Sequence, residues 1–142
     1  MEYTIKQVAE RVDLTEYTLR YYEKEGLLPS IERDEHGIRQ FKENDIEWIR
    51  LICCLRDTGM SISKIKDYVD LSIEGDSTIE LRRQIILNQK MVTEQKIEGM
   101  NKNLDMINKK LKHYNEFVAG KHRDPCNQSN TIKVESTSED DI

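Results

Sequence analysis

The sequence predicts a mainly α-helical fold, in which short helices and one small β-hairpin precede a single long helix. Three observations indicate this fold. Helix-capping residues recur through the first 80 residues, a polar turn around Gly37 interrupts them, and from Thr78 to Val118 only Gly99 disfavours helix. The 142 residues are 37% hydrophobic and 35% charged. That composition is typical of a long-helix protein that completes its core by association.

The first two helices are joined by a very short turn. Thr4 opens a capping box for a helix that ends near Asp13, and Thr15 caps a second helix that runs to about Glu25. Gly26 can then supply a left-handed stop. Two short helices joined so closely are typical of a helix-turn-helix.

The helical pattern of the first two helices ends at residues 28–41. Pro29 blocks helix, and Ile31, Ile38 and Phe41 suit strands on either side of a polar turn. We expect a small β-hairpin, or wing, at this place.

Three further caps follow the hairpin. Asn44 and Glu47 predict a capping box for a helix over about 45–57, and Ser61 caps a helix that closes at residues 74–76. A last cap at residues 77–80 opens the long helix, which should measure about 60 Å at about 1.5 Å per residue.

The second half of the long helix is heptad-regular. Apolar residues spaced alternately three and four apart predict a coiled-coil seam and therefore a dimer interface. The seam residues are Ile97, Met100, Leu104, Ile107, Leu111, Tyr114 and Val118.

The first half of the long helix has a different pattern. Ile85, Ile86, Met91 and Val92 form a broader apolar stripe, which suits packing on a domain better than packing on one helix. These patterns predict three regions. Residues 1–75 form a winged helix-turn-helix domain, residues 76–119 a dimerisation helix, and residues 120–142 a disordered polar tail.

Residues 3–118 resemble the MerR (mercury-resistance-regulator) family of bacterial transcription factors. The resemblance lies in "TIKQVAERVDLTEYTLRYYEKEGLLPSIERDEHGIRQF", in "DIEWIRLICCLRDTGMSISKIK" and in the long helix after them. The segment "TLRYYEKEGLLP" followed by a glycine–arginine wing is the most specific part, because helix, turn and wing chemistry must coincide. Asp13 stands where the family often has glycine, and Phe41 where tyrosine is common.

The resemblance implies an antiparallel homodimer held together by its long helices. Such a dimer binds double-stranded promoter DNA and distorts it so that RNA polymerase can use badly spaced promoter elements. In the family pattern, Arg20, Tyr21, Tyr22 and Arg39 match positions that contact the DNA backbone.

The net negative charge argues against DNA binding, so a prediction of DNA binding depends on where the cations are clustered. Residues 1–75 contain 11 Lys and Arg against 16 Asp and Glu, a balance of −5. On the second helix, however, Tyr17, Arg20, Tyr21 and Lys24 share one face. The predicted DNA-binding residues are Thr15, Tyr17, Thr18, Arg20, Tyr21, Tyr22, Lys24, Arg33, Gly37 and Arg39, with Tyr17 and Thr18 nearest the base edges.

Two of these residues have alternative interpretations. Tyr22 could be a core aromatic, and Arg20 could pair with Glu16 or Glu23 on a solvated face.

The adjacent cysteines have different predicted surroundings. On a helical projection, Cys53 falls at the edge of the apolar arc, whereas Cys54 falls on the polar side between Glu47 and Arg50. Cys54 also matches a cysteine in the branch of the family that responds to aldehydes and similar electrophiles. The resemblance therefore implies a sensor thiol at Cys54, with Cys53 less favoured. The alternative is an inert thiol packed against a partner.

Several function classes are not supported by the residues. We expect no enzyme and no cofactor, because phosphate-binding glycine loops and nucleophile elbows are missing. We expect no metal site, because there is no CxxC and no His pair at ligand spacing. The three cysteines and the lack of a secretory pattern or an apolar run of about 18 residues predict a cytoplasmic protein.

Two alternative functions are open. One is a regulator of the same family that responds to another ligand, with Cys54 structural. The other is a coiled-coil adaptor whose helix-turn-helix binds protein. An adaptor would have no need of Gly37 and Arg39 in a wing.

Overall fold

The computed structural model describes residues 1–120 and shows a mainly helical chain with one small hairpin. The elements in chain order are α1 (Ile5–Val12), α2 (Glu16–Lys24), β1 (Glu32–Arg33), β2 (Arg39–Gln40), α3 (Glu43–Asp57), α4 (Ile62–Glu74) and α5 (Ile79–Val118). The predicted fold class is confirmed. The predicted tail lies outside the described residues from position 121 onwards, and Cys126 lies there too.

The chain divides into two compact units, one of residues 1–93 and one that begins at residue 94. Helix α5 contributes to both units. The predicted boundaries at residues 75 and 119 stay predictions.

The caps of the first two helices form as predicted. Thr4 Oγ1 accepts from the Gln7 N–H at 3.2 Å, and Gln7 Oε1 accepts from the Thr4 N–H at 2.8 Å. Thr15 Oγ1 accepts from the Thr18 N–H at 3.0 Å. Between the helices, Asp13 has the left-handed dihedrals φ 57 and ψ 46, which Asp tolerates better than most residues. The helix-turn-helix is confirmed.

The wing is an antiparallel hairpin in which Arg33 lies opposite Arg39. Its tip is closed by Asp34, whose Oδ1 accepts from the backbone N–H groups of His36 at 2.8 Å and Ile38 at 2.9 Å. Gly37 takes φ 77 in this turn, a conformation that side chains rarely adopt.

A third segment joins the base of the wing. Tyr3 and Phe41 exchange backbone hydrogen bonds of 2.8 and 2.9 Å, so the start of the chain pairs with the end of the hairpin. Phe41 is 1% exposed. The pairing therefore anchors the wing to the core beside α1.

Helix α3 begins at Glu43, two residues before the predicted start. The Lys42 N–H donates to Asp45 Oδ2 at 2.8 Å. The predicted Asn44–Glu47 capping box is therefore wrong, because the capping carboxylate belongs to Asp45.

The start of α5 also differs from the prediction in detail. A short 3₁₀ turn, Asp76–Thr78, precedes the helix. Thr78 is 3% exposed, and its Oγ1 lies 2.6 Å from the Leu71 carbonyl oxygen and 3.0 Å from Arg82 Nε, which donates to it. The end of α4 and the start of α5 are thus joined through one buried hydroxyl.

The core of the first unit is built around α3, which buries one residue in every turn. The fully enclosed residues come from all four short helices and the loops around the wing: Val8, Leu19, Leu27, Phe41, Ile46, Ile49, Ile52, Ile65 and Val69. Of the predicted broad stripe on α5, Ile85 packs against this core. Ile86, Met91 and Val92 stay 37–52% exposed in the single chain, so the prediction that these three residues pack on a domain stays a prediction.

The seam residues of α5 are exposed in the single chain. Each of the seven is at least 41% exposed, and α5 as a whole buries no residue. Among the described residues, no helix is long and apolar enough to cross a lipid bilayer.

Candidate nucleic-acid interface

The outer face of α2 presents aromatic and cationic side chains together. Tyr17 is 76% exposed and Tyr21 is 42% exposed, while Leu19 on the opposite side is 1% exposed. Helical periodicity explains the division, since residues three and four apart share a face. We call Tyr17, Arg20, Tyr21 and Lys24 the α2 ridge.

Tyr22 does not belong to this ridge. It is 3% exposed, and its hydroxyl accepts a hydrogen bond from Arg56 Nη1. Burial raises the pKa of Tyr22, although the adjacent Arg56 cation opposes this shift. The prediction that Tyr22 contacts DNA is therefore wrong, and the alternative prediction of a core aromatic is confirmed. Its contact joins α2 to α3.

Arg20 is exposed, as a phosphate ligand must be, but it has a partner in this structure. Arg20 Nη2 lies 3.1 Å from Glu16 Oε1, one turn earlier on α2. The pair is local and solvated, and such pairs contribute about 0.3–0.5 kcal/mol. A phosphate oxygen can therefore displace the Glu16 carboxylate at little cost.

The two threonines at the start of α2 are engaged with each other. The Thr15 and Thr18 hydroxyl oxygens are 2.9 Å apart, and Thr15 also caps the helix. In this structure the two side chains stabilise the N-terminus of α2.

The wing arginines converge on one carboxylate of α2. Arg39 Nε donates to Glu23 Oε1 at 2.7 Å, and Arg33 Nη2 lies 3.5 Å from the same oxygen. Arg33 Nη1 also donates to the Gly37 carbonyl oxygen at 3.0 Å, across the wing turn. Glu23 thus joins the wing to the α2 helix, an arrangement that sequence reasoning missed.

A further cation lies near the end of α2. Lys66 Nζ from α4 would be 3.1 Å from a Cβ placed on Gly26. The absence of a side chain at Gly26 leaves room for this ammonium group, and its φ of 78 independently favours glycine. Sequence patterns did not indicate it, because α2 and α4 are far apart along the chain.

The two cysteines are placed as the helical projection predicted. Cys54 is exposed, and Cys53 is half-buried against the core. Burial raises the pKa of the Cys53 thiol, although Arg56 opposes the shift. Cys53 is therefore mostly the unreactive thiol at neutral pH.

Cys54 lies one turn before Thr58, the C-cap residue of α3, which contacts α5. Its carbonyl oxygen accepts from the Thr58 N–H at 3.0 Å, and Thr58 Oγ1 accepts from Gln89 Nε2 at 2.9 Å. Among the described residues, no group of three or more His, Cys, Asp and Glu side chains could hold a metal ion.

Comparison with known proteins gives consistent matches. The sequence profile of the MerR HTH family regulatory proteins matches residues 3–71, and the profile described as MerR, DNA binding matches residues 46–109. An HTH-type transcriptional regulator of Haemophilus influenzae is 41% identical over 119 residues, which are 84% of this chain and 88% of that protein. The HTH-type transcriptional regulator AdhR of Bacillus subtilis is 45% identical over 86 residues, 61% of each chain.

A solved structure shares both the sequence similarity and the fold. It is the crystal structure of HiNmlR, described as a MerR family regulator lacking the sensor domain, bound to promoter DNA. It is 41% identical to this chain with a TM-score of 0.78, and the match covers 84% of this chain and 94% of that one. Proteins with these names are transcriptional regulators rather than enzymes. From its helix-turn-helix, its wing and these matches, we conclude that the chain belongs to the MerR family of helix-turn-helix regulatory proteins.

Proposed function

We propose that this protein is a dimeric transcriptional regulator that binds promoter DNA through the α2 ridge and the wing. One observation carries the proposal. The exposed tyrosines and cations of α2 lie on a helix to which Glu23 ties the wing arginines Arg33 and Arg39. The similarity to HiNmlR, which was solved on promoter DNA, supports the same conclusion.

The ridge suits a phosphate backbone chemically. Guanidinium, ammonium and phenol groups donate hydrogen bonds to phosphate oxygens and position the duplex, whereas contacts to base edges specify the sequence. Tyr17 and Thr18 are our candidates for base contacts. The acidic surplus of residues 1–75 should weaken binding to DNA of arbitrary sequence.

The exposed seam of α5 supports the homodimer. An antiparallel pair centred on Ile107 places Leu104 of one chain opposite Leu111 of the other, because the three–four spacing is nearly symmetric about that residue. Distortion of the promoter and its use by RNA polymerase follow from the family resemblance and belong to this proposal.

Two arginine substitutions test DNA binding. An operator is first selected from a random-sequence pool with the wild-type protein, and Kd is then measured at fixed salt. We expect Arg20→Ala and Arg39→Ala each to weaken operator binding by roughly tenfold and to lower the salt slope by about one. Arg83→Ala is the matched control, because Arg83 is an exposed arginine of α5 paired with Glu80.

Unchanged affinity in both test variants would show that the contact assignment is wrong. If the wild-type protein enriched no DNA sequence, the adaptor alternative would be favoured instead.

We further propose that Cys54 is a sensor thiol for electrophiles. Exposure of Cys54 allows a reagent to reach it, and the neighbouring Thr58–Gln89 contact can pass a disturbance to α5. When an aldehyde reacts, the sulfur bonds to the carbonyl carbon and the thiol proton passes to the carbonyl oxygen. The added group then biases the conformation of the DNA-bound dimer.

Peptide mapping by mass spectrometry tests the sensor, after the reduced protein has been treated with an aldehyde or diamide. We expect modification at Cys54 and little at Cys53, with loss of electrophile-induced transcription in Cys54→Ser but not in Cys53→Ser. Induced transcription that survives Cys54→Ser would dismiss the sensor role. The alternative, another ligand with a structural Cys54, would then replace it.

A further inference from the structure

The carboxylate of Glu23 occupies an unusual place, since it accepts from two cations of the wing rather than from its own helix. One oxygen, Oε1, lies 2.7 Å from Arg39 Nε and 3.5 Å from Arg33 Nη2. Arg33 in turn donates to the Gly37 carbonyl oxygen at the wing tip. The contacts therefore run from α2 through both strands to the turn of the wing.

This pair differs from the other ion pair of α2 in range and in burial. Glu23 and Arg39 are 16 positions apart, and both side chains are 23% exposed. The Arg20–Glu16 pair is four positions apart, with side chains 49% and 39% exposed. A local pair forms wherever the helix forms, whereas the Glu23–Arg39 pair requires the wing to be docked on α2. Lower exposure also makes it less subject to screening by salt.

The position of the wing matters to a DNA-binding protein that must match helix and wing to one duplex at the same time. A wing held in place before binding loses less conformational entropy on binding than a free one does. A carboxylate beside two arginines also lowers the positive potential that any DNA would meet.

We propose that Glu23 is a positioning residue that sets discrimination between operator and other DNA. The inference rests on the proposed DNA-binding function and adds a selective role for an acidic side chain in that interface. Glu23 orients Arg33 and Arg39 for the operator and repels duplexes that cannot engage the wing in this position.

Substitution by glutamine separates this role from simpler ones. Glu23→Gln keeps the shape of the side chain but removes its charge, which loosens the wing and makes the surface more positive. Affinity for the operator should therefore fall by roughly threefold or more, while affinity for a scrambled duplex rises by a similar factor. The ratio of the two affinities should fall by about tenfold.

Glu16→Gln is the matched control. It removes the same charge from the same helix, but its partner Arg20 is local and the wing is untouched. We expect it to strengthen both affinities by similar factors and to leave their ratio unchanged.

The experiment measures Kd by fluorescence anisotropy for the selected operator and for a scrambled duplex of equal length and composition, with the full chain at one salt concentration. Circular dichroism confirms that the variants are folded. Opposite changes in the two affinities for Glu23→Gln support the proposal. A parallel gain, as in Glu16→Gln, would overturn it in favour of plain repulsion, and a parallel loss in favour of a purely structural role.

Failure of the proposed function gives a different result. A wild-type protein that bound operator and scrambled duplex equally would overturn DNA-sequence recognition itself, and the role of Glu23 with it.

Discussion

The four short helices α1–α4 and the helical residues from 94 to 118 differ in how they bury their apolar side chains. In the first unit, Ile46, Ile49 and Ile52 of α3 are completely enclosed. In the second, apolar residues recur with equal regularity, yet Ile107 is 63% exposed and Leu111 is 55% exposed. Apolar content alone therefore does not decide burial.

The difference follows from how many elements can meet. Four short helices joined by tight turns can enclose a core, because each presents an apolar face to the others. A single helix cannot enclose its own seam, and the proposed homodimer would cover it with the seam of a second chain. The residues proposed to contact DNA therefore lie in the first unit, and the seam proposed to form the dimer lies in the second.

The largest effect is expected from breaking the seam. Leu104→Glu combined with Ile107→Glu places four carboxylates in the centre of an antiparallel dimer. We expect the dissociation constant of the dimer to rise at least about 100-fold, since like charges and lost apolar burial act together. Analytical ultracentrifugation measures this dissociation constant.

The matched control for the seam is Lys102→Glu combined with Lys109→Glu, on the side of α5 opposite the seam. This pair changes the charge more but should leave the dimer intact. A seam variant that remains dimeric would place the interface elsewhere.

A substitution in the core tests the same difference between the buried core and the exposed seam. Ile49 is 0% exposed, so Ile49→Ala should lower the free energy of unfolding by about 2–5 kcal/mol. Urea denaturation should show this loss equally at every protein concentration. Leu111→Ala in the seam should instead lower the free energy of unfolding by an amount that depends on protein concentration. If the two variants behaved identically, the distinction between a core completed within one chain and a seam shared by two chains would be wrong.

The smallest effect concerns a surface pair of the first unit. Arg11 donates to both carboxylate oxygens of Glu43, at 3.0 and 3.2 Å, and this lowers the pKa of Glu43. A lowered pKa means that the pair stabilises the fold above the ordinary carboxyl pKa, and that this stability is lost as pH falls through the lowered value.

Glu43→Gln should therefore flatten the dependence of stability on pH between about pH 5 and pH 3. Urea midpoints measured across this range check it. Because both side chains are exposed, the change should be small, and an unchanged slope would mean that the pair contributes nothing measurable.

Most of the local structure could be predicted from the sequence, because its signals lie within a few residues of each other. Thr4, Thr15 and Ser61 cap the helices that their spacing indicates. The error at α3 concerned which carboxylate caps the helix. Helix α3 begins at Glu43, directly after the wing, and the Lys42 N–H therefore donates to Asp45 rather than to a carboxylate further along.

The candidate site was less predictable, because burial and partners decide it. The α2 ridge followed from helical periodicity, but the direction of Tyr22 depended on Arg56, 34 positions away. Ile85 and Ile86 are neighbours in one stripe, yet only Ile85 reaches the core. Such outcomes require knowledge of which helix lies beside which.

By itself, the sequence determined the helices, their caps, the wing turn and the regular seam of α5, since each depends on short-range backbone chemistry and periodicity. Only the tertiary structure decided that Tyr22 lies in the core, that Tyr3 anchors the wing and that Glu23 gathers the wing arginines. These contacts join segments far apart in the chain, and their existence depends on how the helices pack, which no local pattern encodes.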